Sequence, residues 1–149
     1  ERTLMSYVRS ALYLLLGGDG LVIDPAAIVA YMAETPAPPG APATDRAAVD
    51  RGRSLFESPT VGCSKCHTGG RGTDGEAHTV LSPSDDPTAR VDPVVTPALT
   101  DVRGRAPYLH DGRAATLRDV LTTADGTHGN TTTLTPTQLE DLLTYLETR

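Results

Sequence analysis

Cys63-Ser64-Lys65-Cys66-His67 carries the most specific chemistry in this chain of 149 residues. Two thiols three apart on a short helical turn can each form a thioether to one vinyl group of a porphyrin. The histidine that follows directly is then placed under the ring, where its imidazole can bind iron as the proximal ligand. The pattern is the attachment signature of a c-type haem, and it predicts one covalent haem c held by Cys63 and Cys66, with His67 on the metal. A disulfide would use the same two thiols. A zinc site would need a second Cys or His pair at ligand spacing, and the chain has no other cysteine. A thioredoxin-like motif would follow a strand in a βαβ pattern, and none surrounds Cys63.

The elements that must hold this motif read as helices. Thr3 caps a helix over residues 3–16, with Leu4, Val8, Ala11, Leu12 and Leu15 at helical spacing. Gly17 to Gly20 stops it. Asp24-Pro25 then opens a second helix to about Glu34. The Pro-rich stretch from Thr35 to Pro42 is a semi-rigid connector and marks the one clear boundary. The expected organisation is therefore a helix pair with linker, residues 1–44, and a mono-haem domain, residues 45–149. Ile28 to Met32 also echoes Leu142 to Leu146, a weak sign of repetition.

After the connector, Asp45 caps a helix to about Phe56, with Ala48, Val49, Gly52, Leu55 and Phe56 on one side. Gly52 would let another helix approach closely. Residues 68–106 are mostly turns, and residues 117–123 form a short helix. Thr135-Pro136-Thr137-Gln138 combines a capping box with proline at the first helical position. Leu139, Leu142, Leu143 and Leu146 then recur with the period of a last amphipathic helix.

Composition narrows the function classes. Five Tyr, one Phe and no Trp make a thin core, which a haem's large apolar plate would repair. Fourteen Gly and twelve Pro imply a loop-rich fold, and no stretch alternates long enough to suggest a sheet. A formal charge of −6 argues against nucleic acid or an anionic membrane surface, and favours a basic docking partner. Lys65 is the only lysine, so arginines supply the forked contacts to carboxylates. Thioether attachment of haem is extracytoplasmic chemistry, which predicts a periplasmic, extracellular or cell-surface location. The apolar run Ala11 to Leu16 is too short to span a bilayer, and Glu1 is not an initiator methionine, as in a mature chain or fragment. The acidic loop with Asp85, Asp86 and Asp92 lacks the spacing of an EF-hand and reads as a solvated loop.

From Pro97 to Gly112 the chain runs PALTDVRGRAPYLHDG, followed by Thr116-Leu117-Arg118-Asp119-Val120. This order of motifs resembles the C-terminal haem domain of the bacterial di-haem cytochrome c peroxidase and MauG superfamily. Thr73 to His78 resembles that family's segment after the Cys motif, and the likeness covers roughly residues 46–148. It implies an all-α, class I cytochrome c-like domain with a loop-rich middle, here with an N-terminal helical extension. Two departures stand out: the peroxidases need two haems, and their distal Met segment holds no Met here. Met5 and Met32 precede the haem motif and read as core residues.

In that segment His128 stands where the family places its distal ligand, flanked by Gly126 and Gly129. The resemblance makes His128 the favoured second metal ligand over His78 and His110. Tyr108 and His110 belong to the family's turn beside the haem edge, and Arg103, Arg105 and Arg113 surround that turn as candidates to pair with the propionates. The leading function is a one-electron carrier with bis-His iron rather than an enzyme. The alternative is one haem domain of a di-haem peroxidase or MauG-like oxidoreductase. Expected partners are redox proteins, with residues 1–34 docking on a neighbouring cytochrome subunit or a membrane oxidoreductase.

Overall fold

The computed structural model describes residues 3–15, 24–36, 40, 42–43, 45–79, 93–123 and 128–149. The Gly17 to Gly20 stop, half of the Pro-rich connector, the acidic loop and Gly126 lie outside the described residues. The chain divides into two compact units, Glu1–Ala37 and Pro38–Arg149. The division falls inside the connector. At Gly40 a Cβ would lie 2.1 Å from the Thr148 carbonyl oxygen, so this end of the connector is packed into the second unit.

In the first unit the Thr3 hydroxyl accepts the Ser6 amide at 3.1 Å and opens α1, Leu4–Ser10. The expected helix has the right extent but changes pitch, continuing as a π-helical stretch, Ala11–Leu15. Asp24 accepts the Ala26 amide at 2.8 Å and opens α2, Pro25–Glu34, whose proline sits where no backbone donor is needed. Val8 is buried in α1, whereas Tyr7, Leu14 and Tyr31 are 71%, 81% and 72% exposed.

The second unit is built on α3, Arg46–Glu57, and α5, Pro136–Glu147. Asp45 caps α3 by accepting the Ala48 amide at 3.0 Å. The capping box of α5 is complete: the Thr135 hydroxyl accepts the Gln138 amide, and Gln138 Oε1 accepts the Thr135 amide at 2.9 Å. The two helices cross at Gly52, where a Cβ would stand 2.0 Å from the Asp141 carbonyl oxygen. Beside the crossing, Arg51 Nε and Nη2 donate to the two carboxylate oxygens of Asp141 at 2.7 and 2.8 Å. Phe56 and Tyr145 pack with ring centroids 5.3 Å apart.

Around this crossing the core gathers Val49, Leu99, Val102, Leu121, Leu142, Leu143 and Leu146, with Leu142 fully buried. Burying each such side chain stabilises the fold by roughly 1.5–3 kcal/mol relative to leaving it in water. The short helix α4, Leu117–Thr123, closes one side. The middle of the chain is not wholly turns: β1, Ala77–His78, pairs antiparallel with β2, Val94–Val95, and His78 faces Val94 in register. Strands of two residues are too short to leave an alternating pattern in a sequence. Among the described residues no helix is long and apolar enough to cross a membrane.

Candidate haem-binding site

The helix α3 delivers the chain to a single 3₁₀ turn, Cys63–Lys65, entered through Gly62 in the left-handed region at φ 83°. The turn closes with the His67 amide donating to the Cys63 carbonyl at 3.0 Å, which sets Cys63, Cys66 and His67 on one short arc. The two cysteines are unpaired. Burial pushes the Cys63 thiol up to about 11, which keeps it protonated rather than a nucleophilic thiolate at neutral pH.

His67 is oriented by a single hydrogen bond. Its Nδ1 lies 2.9 Å from the Gly72 carbonyl oxygen, and a carbonyl only accepts, so Nδ1 carries the proton. Nε2 is then the ring nitrogen with a free lone pair, the state a metal requires. The loop that supplies this carbonyl, residues 68–72, is folded back by the Thr73 amide on the Thr68 carbonyl at 2.8 Å.

His128 comes from the other side. Its ring centroid is 6.0 Å from that of His67, with the planes tilted by 58°. Its Nδ1 is buried and finds no hydrogen-bond partner among the described residues. Burial, with the neighbouring His67 adding to it, lowers the His128 pKa and keeps the ring neutral. The next residue, Gly129, has φ +80° and lies close to the motif: a Cβ there would be 3.2 Å from the Val61 carbonyl and 3.8 Å from Cys63 Sγ. The Asn130 amide donates to the same Val61 carbonyl at 2.8 Å and locks the two segments together.

Between these groups lies a cavity of about 470 Å³ whose walls are mostly apolar. Phe56, Leu99, Val102, Leu121 and Leu146 line it together with Cys63, Cys66, His67 and His128. Tyr108, Arg105 and His110 line the same cavity. The Tyr108 turn is held by the Tyr108 amide on the Ala114 carbonyl at 2.7 Å, and its hydroxyl donates to the Arg103 carbonyl at 3.1 Å. Arg105 is already engaged with the Thr100 carbonyl. Arg103 and Arg113 are not among the lining residues, and Arg113 Nε donates to Asp111 at 2.6 Å, holding that carboxyl down to about 2.

An apolar cavity edged by two unpaired thiols, with His67 and the orphaned buried nitrogen of His128 beside it, fits a c-type haem, which Cys63, Cys66, His67 and His128 would hold. A bound haem supplies a one-electron ferric/ferrous couple.

The chain is similar to the gamma subunit of hydrazine synthase from Kuenenia stuttgartiensis. The identity is 28% over 139 residues, covering 65% of this chain and 39% of that protein. A solved structure of Kuenenia stuttgartiensis hydrazine synthase, taken under 20 bar of xenon, superposes with a TM-score of 0.67 at 26% identity. It covers 84% of this chain and 55% of the hydrazine synthase chain, so the likeness reaches into the first unit. This chain spans well under half the length of the curated gamma subunit it matches. No family model matches.

Sequence reasoning missed one neighbour of the site. His78, read as a loop residue, lies in β1 and on the cavity wall, with Nε2 2.7 Å from Asp74. That carboxyl is held down to about 2, chiefly by the Glu76 amide it accepts. The spacing of four between Asp74 and His78 was the available signal, but in a loop such spacing has no fixed geometry.

Proposed function

We propose that this chain is a c-type cytochrome domain with one covalent haem, bis-His ligated by His67 and His128, that carries single electrons within a multi-subunit redox assembly. The observation that carries the reading is the facing pair His67 and His128 across an apolar cavity edged by Cys63 and Cys66. The crossing of α3 and α5 at Gly52, with a loop-rich middle around the cavity, supports a class I cytochrome c-like fold. Its own residues do the following work. Cys63 and Cys66 hold the group covalently, Gly72 fixes the His67 tautomer, and the leucine-rich wall excludes water, which lowers reorganisation on electron transfer. With His67 and His128 both on the metal, no open coordination position would remain for a substrate.

The similarity to a hydrazine synthase subunit supports a place beside other protein subunits, and exposed Tyr7, Leu14 and Tyr31 of the first unit are suited to such a contact. Thioether attachment of haem is extracytoplasmic chemistry, which supports a periplasmic, extracellular or cell-surface location.

The second reading is one haem domain of a larger di-haem peroxidase or MauG-like enzyme. It rests on the ordered motifs from Pro97 to Val120. Oxidised and reduced optical spectra of the purified chain, with its intact mass, test the first reading. A mass equal to that of the bare polypeptide after expression with a haem-attachment system would sink it. Peroxide turnover by the haem-loaded chain would favour the second.

A further inference from the structure

We propose that Arg53 and Arg149, with Tyr145 between the site and the surface, form a docking face for a carboxylate-rich segment of a one-electron redox protein. The inference rests on the haem reading above for its electron step, but not for the docking itself.

A column of rings leads out of the site on the His67 side. The Phe56 centroid lies 6.5 Å from His67 and 5.3 Å from Tyr145. At the far end, the Arg53 and Arg149 guanidinium carbons stand 5.9 and 5.7 Å from the Tyr145 ring centroid. Both are within cation–π reach, so the ring holds two cations near one spot. Three other arginines of this unit already hold a carboxylate: Arg51 with Asp141, Arg113 with Asp111, Arg118 with Glu140. Arg53 and Arg149 have no carboxylate partner among the described residues, and Arg149 gives one bond, to the Gly70 carbonyl at 2.9 Å. Each guanidinium offers five donors, so most remain available for a planar anion.

The space between the two arginines is a hollow of about 380 Å³ that reaches Phe56 and His67. Glu57 puts one carboxylate on its rim, leaving an excess of positive charge. Over the whole chain the balance is −6, so an acidic partner is repelled broadly and attracted here, which orients the encounter. The overall charge had pointed to a basic partner, whereas this face fits an acidic one. With haem held by Cys63, Cys66 and His67, the docked partner's reduced centre would give up one electron to it and no atom would be transferred.

The test uses the haem-loaded protein and a fluorescently labelled hexaglutamate peptide as probe, followed by anisotropy at low and at high salt. Wild type is expected to bind at low salt and to lose affinity as salt rises. R53Q/R149Q should weaken binding by at least tenfold, since both charge-assisted contacts are lost. R118Q, which removes an arginine already paired with Glu140, should leave binding unchanged. R53K/R149K keeps the charge and should retain most of the affinity, which separates docking from any packing defect. No binding by wild type, or equal binding by R53Q/R149Q, overturns the proposal. Peptide binding by a chain found to lack haem would sink the function reading and leave the docking face standing. A haem-loaded chain whose peptide binding ignores both arginines does the reverse.

Discussion

Gly52 and Asp141 meet backbone to backbone: a Cβ on the first would overlap the carbonyl oxygen of the second at 2.0 Å and its carbon at 2.6 Å. Neither atom can swing aside, because both belong to helices. The contact is what lets α3 and α5 approach closely enough for Phe56 and Tyr145 to pack, and it sets the wall of the cavity.

Gly52→Ala should therefore destabilise the second unit although alanine is the better helix former. The expected cost is about 1–3 kcal/mol, typical of overpacking, and larger for Gly52→Leu. Denaturant unfolding would show it. An unchanged midpoint for Gly52→Leu would mean that the helices do not cross there.

Acid should weaken the same crossing. Its bond from Arg51 lowers the pKa of Asp141, so the carboxylate is favoured in the folded state. A depressed folded pKa contributes stability above the unfolded value, near 3.9, and loses it as pH falls through the folded pKa. Asp141→Asn should melt lower than wild type at pH 7, with the gap closing below about pH 4. A gap that stays constant down to pH 2 would assign the loss to packing instead.

Cys63→Ser/Cys66→Ser should give protein without covalent haem and with a poorly formed core, because the cavity walls would lose what they surround. Far-ultraviolet circular dichroism and intact mass check this together. A double variant that folds normally without haem would remove the whole functional reading.

His128→Ala should open the sixth position and convert a low-spin ferric spectrum to a high-spin or water-ligated one. The wild-type spectrum should lack the near-infrared sulfur-to-iron band of His/Met sites, since the second unit contains no methionine. His110→Ala should leave the spin state alone, because His110 is exposed at the rim. A spin change in His110→Ala but not in His128→Ala would transfer the ligand role.

The helices were legible because their signals are local. Thr3, Asp24, Asp45 and Thr135 each cap the helix they were read to cap, since a side-chain oxygen two or three residues from an amide has little else to do. The Cys63–His67 arc was legible for the same reason. The bond from His67 to Gly72 was not, since it depends on the path of a loop. Nor was the separation of Arg105, on the wall, from Arg103 and Arg113, off it: three arginines within a turn region look alike until the turn is folded. His128 was reached through resemblance, and only the folded chain shows its buried, unpartnered nitrogen.

The ion pair of Arg51 with Asp141 joins positions 90 apart in the chain. Helices of 12 residues, such as α3 and α5, are marginal alone in water, so neither persists long before they meet. Their meeting must close a very long loop, and topologies dominated by such distant contacts fold slowly. A group anchored at Cys63 and Cys66 and captured by His128 would divide that loop into shorter segments. Loading the site should therefore speed folding as well as stabilise its product, and the order of assembly becomes anchor first, crossing second.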